Sequence, residues 1–190
     1  LLVSTPFLLT GCIEETEPMN GTATAGQIQG NAQASEALVN ALPAKFNAIF
    51  SRGDHYTFGY GGIMHIRDVM TGDMATVTSN YDSFDAFARV RNMGPRYVYM
   101  QYVWNYYTGF ILSANNIIKN INETSANDAQ KGQLGLGYAF RALCYLDMAR
   151  MFEFLPNEKF PSGKNAEGVD VTNLTVPIVT EKTTIEESRK

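Results

Sequence analysis

A mainly all-α fold with long irregular loops is predicted for this chain from three observations. Apolar residues recur at three- and four-residue spacing over several windows, the mark of a helix with one buried face. The two longest windows are joined by a short polar link, and turn formers crowd the other connections. Only one short run, Val176 to Val179, reads as extended.

In chain order, the first patterned window starts at Ser35, which is placed as a cap, and presents Leu38, Leu42, Phe46, Ile49 and Phe50 on one face. Pro43 is expected to bend or interrupt it, and Gly53 and Asp54 to close it. Gly59 to Gly62 read as a loop before a short helix carrying Ile63, Ile66, Val69 and Met70. From Thr71 to Arg96 the turn formers Gly72, Asp73, Asn80, Asp82, Asn92 and Gly94-Pro95 surround Tyr81, Phe84 and Phe87. This stretch is expected to be a long excursion holding a helical turn or two.

Two long helices follow. One is expected from Tyr97 to Ile121, with Tyr99, Tyr102, Val103, Tyr106, Phe110, Ile111, Ala114, Ile117 and Ile118 on a wide apolar face. The other begins at Asn127 or Asp128 and runs to Phe152, with Phe140, Leu143, Cys144 and Met148 inward and glycines 132, 135 and 137 weakening its first turns. The link Asn122 to Ala126 is short enough to force antiparallel packing, which makes a helix-turn-helix unit of the tetratricopeptide kind. Pro156 to Asn173 turns polar, and the sequence reaches Lys190 without a closing element, so an incomplete fold is expected. The wide apolar faces can cover one another only partly, so exposed apolar surface is also expected.

The amino terminus reads as an address. Residues 1 to 11 read as the apolar end of a partial lipoprotein signal peptide, too short to span a bilayer. Leu9-Thr10-Gly11-Cys12 resembles the bacterial lipobox, in which the Cys thiol receives a diacylglyceryl group, so Cys12 is the expected lipid attachment site. Acyl chains contribute roughly 0.8 kcal/mol per buried CH₂ and hold a soluble domain on a membrane without a spanning helix. Residues 12 to 31 make the lipidated Cys and a flexible tether, and residues 32 to 190 the folded helical domain. Ile13-Glu14-Glu15-Thr16-Glu17 resembles the acidic export tag of surface lipoproteins in Bacteroidota, and reads equally as a solvated tether.

Composition narrows the function. With 45% hydrophobic residues among 190, a sizeable core is expected, and a net charge of −4 supplies no basic field for nucleic acid. Cys12 and Cys144 sit in unlike contexts, and Cys144 reads as a small buried hydrophobe. His55 and His65 have no zinc spacing, no Gly-x-Ser-x-Gly elbow occurs, and Gly163-Lys164 lacks the rest of a phosphate loop. Asp82 with Asp85, and Glu186 with Glu187, read as solvated carboxylates rather than an acid and base pair. No catalytic residue, metal or cofactor is expected.

Three stretches carry a family resemblance. They are Trp104-Asn105-Tyr106-Tyr107-Thr108-Gly109-Phe110-Ile111-Leu112-Ser113-Ala114-Asn115, the run Phe140 to Phe152, and Val176-Pro177-Ile178-Val179-Thr180-Glu181. In order and spacing they resemble the SusD/RagB family of outer-membrane lipoproteins, over residues 12 to about 183. Leu136 and Glu153 depart from that pattern, standing where the family usually has Glu and Gly. The resemblance implies an amino-terminal portion of a SusD-like fold, anchored in the outer membrane through Cys12 and exposed at the cell surface. It implies a non-catalytic protein that delivers oligosaccharide, or peptide in some members, to a SusC-like TonB-dependent transporter. A helical-repeat adaptor that binds peptide is the alternative reading.

For ligand contacts, the flat indole of Trp104 matches the apolar face of a pyranose, although its place in the Tyr-rich stripe argues for core packing. Better contacts are expected from the 71 to 96 excursion, where Asp73 and Asn80 offer hydrogen bonds to hydroxyls and Tyr81 offers a stacking face.

Overall fold

The computed structural model describes residues 32–49, 53–77, 82–156, 158, 161–165 and 167–189. Helix α1 is Ala32–Lys45, α2 Gly59–Thr71, α3 Ser83–Ala88, α4 Val98–Asn120 and α5 Asp128–Phe152, followed by a 3-10 turn at Glu187–Arg189. Among the described residues there is no strand, only isolated bridges between Ile49 and Phe58 and between Lys164 and Asp170.

The long pair lies within a residue of the expected bounds. Asn127 caps α5 through a reciprocal box: its side chain accepts from Gln130 N–H at 2.9 Å, and the Gln130 side chain accepts from Asn127 N–H at 3.0 Å. The pair is antiparallel, because Trp104 near the start of α4 meets Phe152 at the end of α5, while Ile118 meets Gly137. Gly137 allows that close approach, since a Cβ there would lie 3.1 Å from Ile118 and 3.4 Å from the Ala114 carbonyl oxygen.

Three expectations about the first half need correction. Helix α1 starts at Ala32, so Ser35 lies within it rather than capping it, and it ends at Lys45 rather than Gly53. Pro43, which has no N–H to continue the ladder, sits in its final turn, and tighter bonds from Phe46 N–H to the Pro43 oxygen (3.1 Å) and Asn47 N–H to the Ala44 oxygen (3.2 Å) end the helix. Ile49 therefore leaves the helical face and is exposed. Glycines 59 to 62 open α2 rather than forming a loop before it. A Cβ on Gly59 would lie 2.1 Å from the Phe46 carbonyl oxygen, and one on Gly62 2.4 Å from that of Tyr56, so only glycine lets this helix start so near two backbones.

The excursion after α2 returns to the core. Asp82 caps α3 by accepting from Phe84 N–H at 2.9 Å, and Phe87 is fully buried against Tyr56 and Tyr99. Asp85 pairs with Arg89 at 3.0 Å and Arg91 at 2.6 Å. The core is rich in tyrosine, and its hydroxyls find partners as buried phenols require. Tyr102 donates to the Gly59 carbonyl and Tyr106 to that of Lys45, each at 3.0 Å, so two core rings of α4 also fix the ends of α2 and α1.

Candidate ligand surface

On α4 the residues Gln101, Trp104, Asn105, Thr108 and Leu112 fall on one side at helical spacing, opposite the buried Tyr102, Tyr106, Phe110 and Ala114. Trp104 lies at the edge of the apolar stripe. The expectation of core packing is corrected accordingly, because Trp104 is 38% exposed. One edge of its indole is braced by Phe152, with ring centroids 5.5 Å apart at 81°.

Two hollows flank the indole. One, of about 430 Å³, is lined by Met93, Pro95, Met100, Gln101, Trp104, Asn105 and Phe152. The other, of about 240 Å³, lies between Trp104, Leu112, Tyr145, Met148, Pro177 and Val179. Both have mainly apolar walls, and in the larger one the exposed amides of Gln101 and Asn105 border the ring. An aromatic platform edged by amides can hold an apolar face while hydrogen-bonding what surrounds it. The sequence reading missed Gln101 and Asn105, although their places three residues before and one after Trp104 carried the signal.

A latch borders the smaller hollow. The Tyr145 hydroxyl donates to the Val179 carbonyl at 2.8 Å and accepts from Val179 N–H at 2.6 Å. Asn115 Nδ2 donates to the same carbonyl at 3.1 Å, and its Oδ1 accepts from Arg141 at 2.9 Å. Arg141 also donates to Glu181 at 2.5 Å. Burial raises the Glu181 carboxyl, but the Arg141 hydrogen bond and charge outweigh it, and the net result is a value below the usual glutamate range. The segment expected to be extended is thus held by side chains of α4 and α5 rather than by a sheet.

A second polar centre escaped the sequence reading. Asp147, only 5% exposed, accepts from Tyr60 at 2.8 Å, Tyr107 at 3.1 Å and Arg67 at 3.2 Å, tying α2, α4 and α5 together. Burial, and then the bond to Asp147, push the Tyr60 hydroxyl up to about 12, and Tyr107 is raised further by its burial and the Asp147 charge. Burial, followed by the Asp147 charge, pushes the Cys144 thiol up to about 12, which keeps it protonated and unreactive at neutral pH. Cys144 is buried, as expected.

Of the remaining expected contacts only Asp73 lies among the described residues. Asp73 is exposed just after α2 and accepts from the Thr71 hydroxyl at 2.8 Å. Asn80, Tyr81 and Cys12 lie outside the described residues. His55 and His65 both pack on the Phe84 ring, at 5.4 and 4.2 Å, and His55 accepts from Ser83 N–H at 3.1 Å. Among the described residues no group of three His, Cys, Asp or Glu is placed to hold a metal ion, and no helix is long and apolar enough to cross a membrane. Comparison with protein-family models, with curated proteins and with solved structures finds no match to this chain.

Proposed function

We propose that this chain is a surface lipoprotein of the SusD/RagB type, anchored in the outer membrane through Cys12, that binds glycan without catalysis and passes it to a SusC-like TonB-dependent transporter. One observation carries the reading. Asn115, Arg141 with Tyr145, and Val179 with Glu181 come one from each of the three stretches that resemble the family, and all meet in a single latch. A shared physical task accounts for the order and spacing of those stretches: each supplies part of one fastening. In this reading α4 and α5 are one tetratricopeptide-like pair, and α1 and α2 contribute to another.

Trp104 is the ligand platform in this proposal, with Gln101 and Asn105 reading hydroxyls at its rim. The experiment is a titration of the full chain with a panel of neutral oligosaccharides, followed by calorimetry, together with metabolic labelling by a clickable fatty acid. Saturable binding that weakens about tenfold or more in Trp104→Ala, with label lost in Cys12→Ser, supports the reading. Binding unchanged by Trp104→Ala, or label retained in Cys12→Ser, counts against it.

A second reading has an observation in its favour. The walls beside Trp104 are mostly Met, Pro, Phe, Leu and Val, which suit apolar side chains of a peptide better than a hydroxylated ring. A helical adaptor that binds peptide would then be the function, and apolar peptides rather than sugars would bind at Trp104.

A further inference from the structure

The turn between α4 and α5 holds a pocket of different character. It measures about 460 Å³, within the range of about 300 to 1,000 Å³ typical of small-molecule sites, and is lined by Lys119, Asn120, Asn122, Ser125 and Gln130. Every lining side chain is polar.

The internal hydrogen bonds of the turn give this pocket a direction. Asn122 Oδ1 is occupied by Thr124 N–H at 3.0 Å, and the Gln130 side-chain oxygen by Asn127 N–H at 3.0 Å. Each amide oxygen thus has one of its two lone pairs engaged within the turn, and the NH₂ groups of both, without a partner among the described residues, are left to donate. Asn120 Nδ2 is spent on the Asn116 carbonyl at 2.7 Å, and its Oδ1 is buried, so it offers the pocket little in either sense. Among the described residues Lys119 has no ion-pair partner and the Ser125 hydroxyl no hydrogen-bond partner. The donors that the lining residues carry without a partner are one ammonium, two amide NH₂ groups and one hydroxyl.

Charges on the surrounding turn do not cancel this bias. Asp128 points into solvent with Lys131 at 3.6 Å, and neither Asp128 nor Glu123 lines the pocket. A donor-rich lining with a single positive charge selects a ligand rich in acceptors with a single negative charge. The volume exceeds what a bare carboxylate fills, and the absence of apolar walls disfavours a fatty acid.

We propose that this pocket binds a small acidic sugar, with Lys119 meeting the carboxylate and the Asn122, Gln130 and Ser125 donors meeting its oxygens. The site lies apart from Trp104 and stands or falls independently of the function proposed above.

The experiment is a titration of the isotope-labelled full chain with D-glucuronate, with D-glucose and butyrate as controls, read from the side-chain NH₂ signals of Asn122 and Gln130. Saturable shifts with glucuronate alone are expected, weakening about tenfold in Lys119→Met, as loss of a charge-assisted contact implies, and weakening as salt is raised. Ser125→Ala should weaken binding less and provides a second variant if Lys119→Met alters the helical circular dichroism. Shifts of equal size with glucose or butyrate, shifts indifferent to both variants, or no saturable shift would each overturn the proposal. Trp104 fluorescence under a neutral oligosaccharide reports separately on the other surface.

Discussion

The hydroxyl of Tyr145 engages both backbone polar groups of Val179, donating to its carbonyl at 2.8 Å and accepting its N–H at 2.6 Å. A single phenol on α5 thus does for the extended segment what a neighbouring strand does in a sheet. Tyr145→Phe keeps the ring and removes both bonds, and is expected to cost about 1–3 kcal/mol. The checks are a lower urea midpoint and faster proteolysis between residues 176 and 181, with the helical circular dichroism unchanged.

The Arg141 and Glu181 pair predicts a pH limb. The folded carboxyl lies below its ordinary value of 4.5, so its contribution is present above that value and is lost as pH falls through the lowered folded one. Thermal unfolding midpoints should hold steady from neutral pH to about 5 and then fall. Glu181→Gln should flatten part of that limb, and a limb of unchanged size would show that other carboxylates produce it.

Tyrosine titration should mark the buried centre at Asp147. The stability that Tyr60 contributes is complete below its ordinary value of 10 and is lost as pH rises towards about 12. Ultraviolet titration of the native chain should show several tyrosines ionising late, Tyr60 among them, and Tyr60→Phe should remove one equivalent from that late part. Asp147→Ala leaves Tyr60, Tyr107 and Arg67 without their acceptor and is expected to cost roughly 2–3 kcal/mol, measured by chemical unfolding. Arg67 keeps access to solvent, which holds the loss below that of a fully buried pair.

Glycines separate cleanly into two kinds. Gly59→Ala should be severe, because its φ is +74° and the new Cβ would sit 2.1 Å from the Phe46 oxygen. By contrast, Gly132 and Gly135 have open space within α5, so Ala at each should stabilise by about 0.5–1 kcal/mol. Unfolding midpoints of the three variants test both signs.

These contrasts explain what the sequence disclosed and what it hid. The long pair was legible because apolar period, a capping residue and a short link agree over residues 98 to 152. The early glycines misled because turn chemistry and close backbone approach demand the same residue, and only the positions of Phe46 and Tyr56 distinguish them. Asp147 was hidden because a lone carboxylate in a helical run reads as solvent-facing until Tyr60, Arg67 and Tyr107 arrive from 87, 80 and 40 residues away. Trp104 was half legible: its spacing puts it at the margin of the buried stripe, where period alone does not decide exposure.

Trp104 is the only tryptophan in the chain, so intrinsic fluorescence reports directly on the proposed platform. Titration of the full chain with neutral oligosaccharides, read at the tryptophan emission, is predicted to give a saturable change whose midpoint matches the binding measured by calorimetry. An emission unmoved by every oligosaccharide, yet shifted saturably by an apolar peptide, would contradict the glycan-binding account and leave the peptide adaptor in its place.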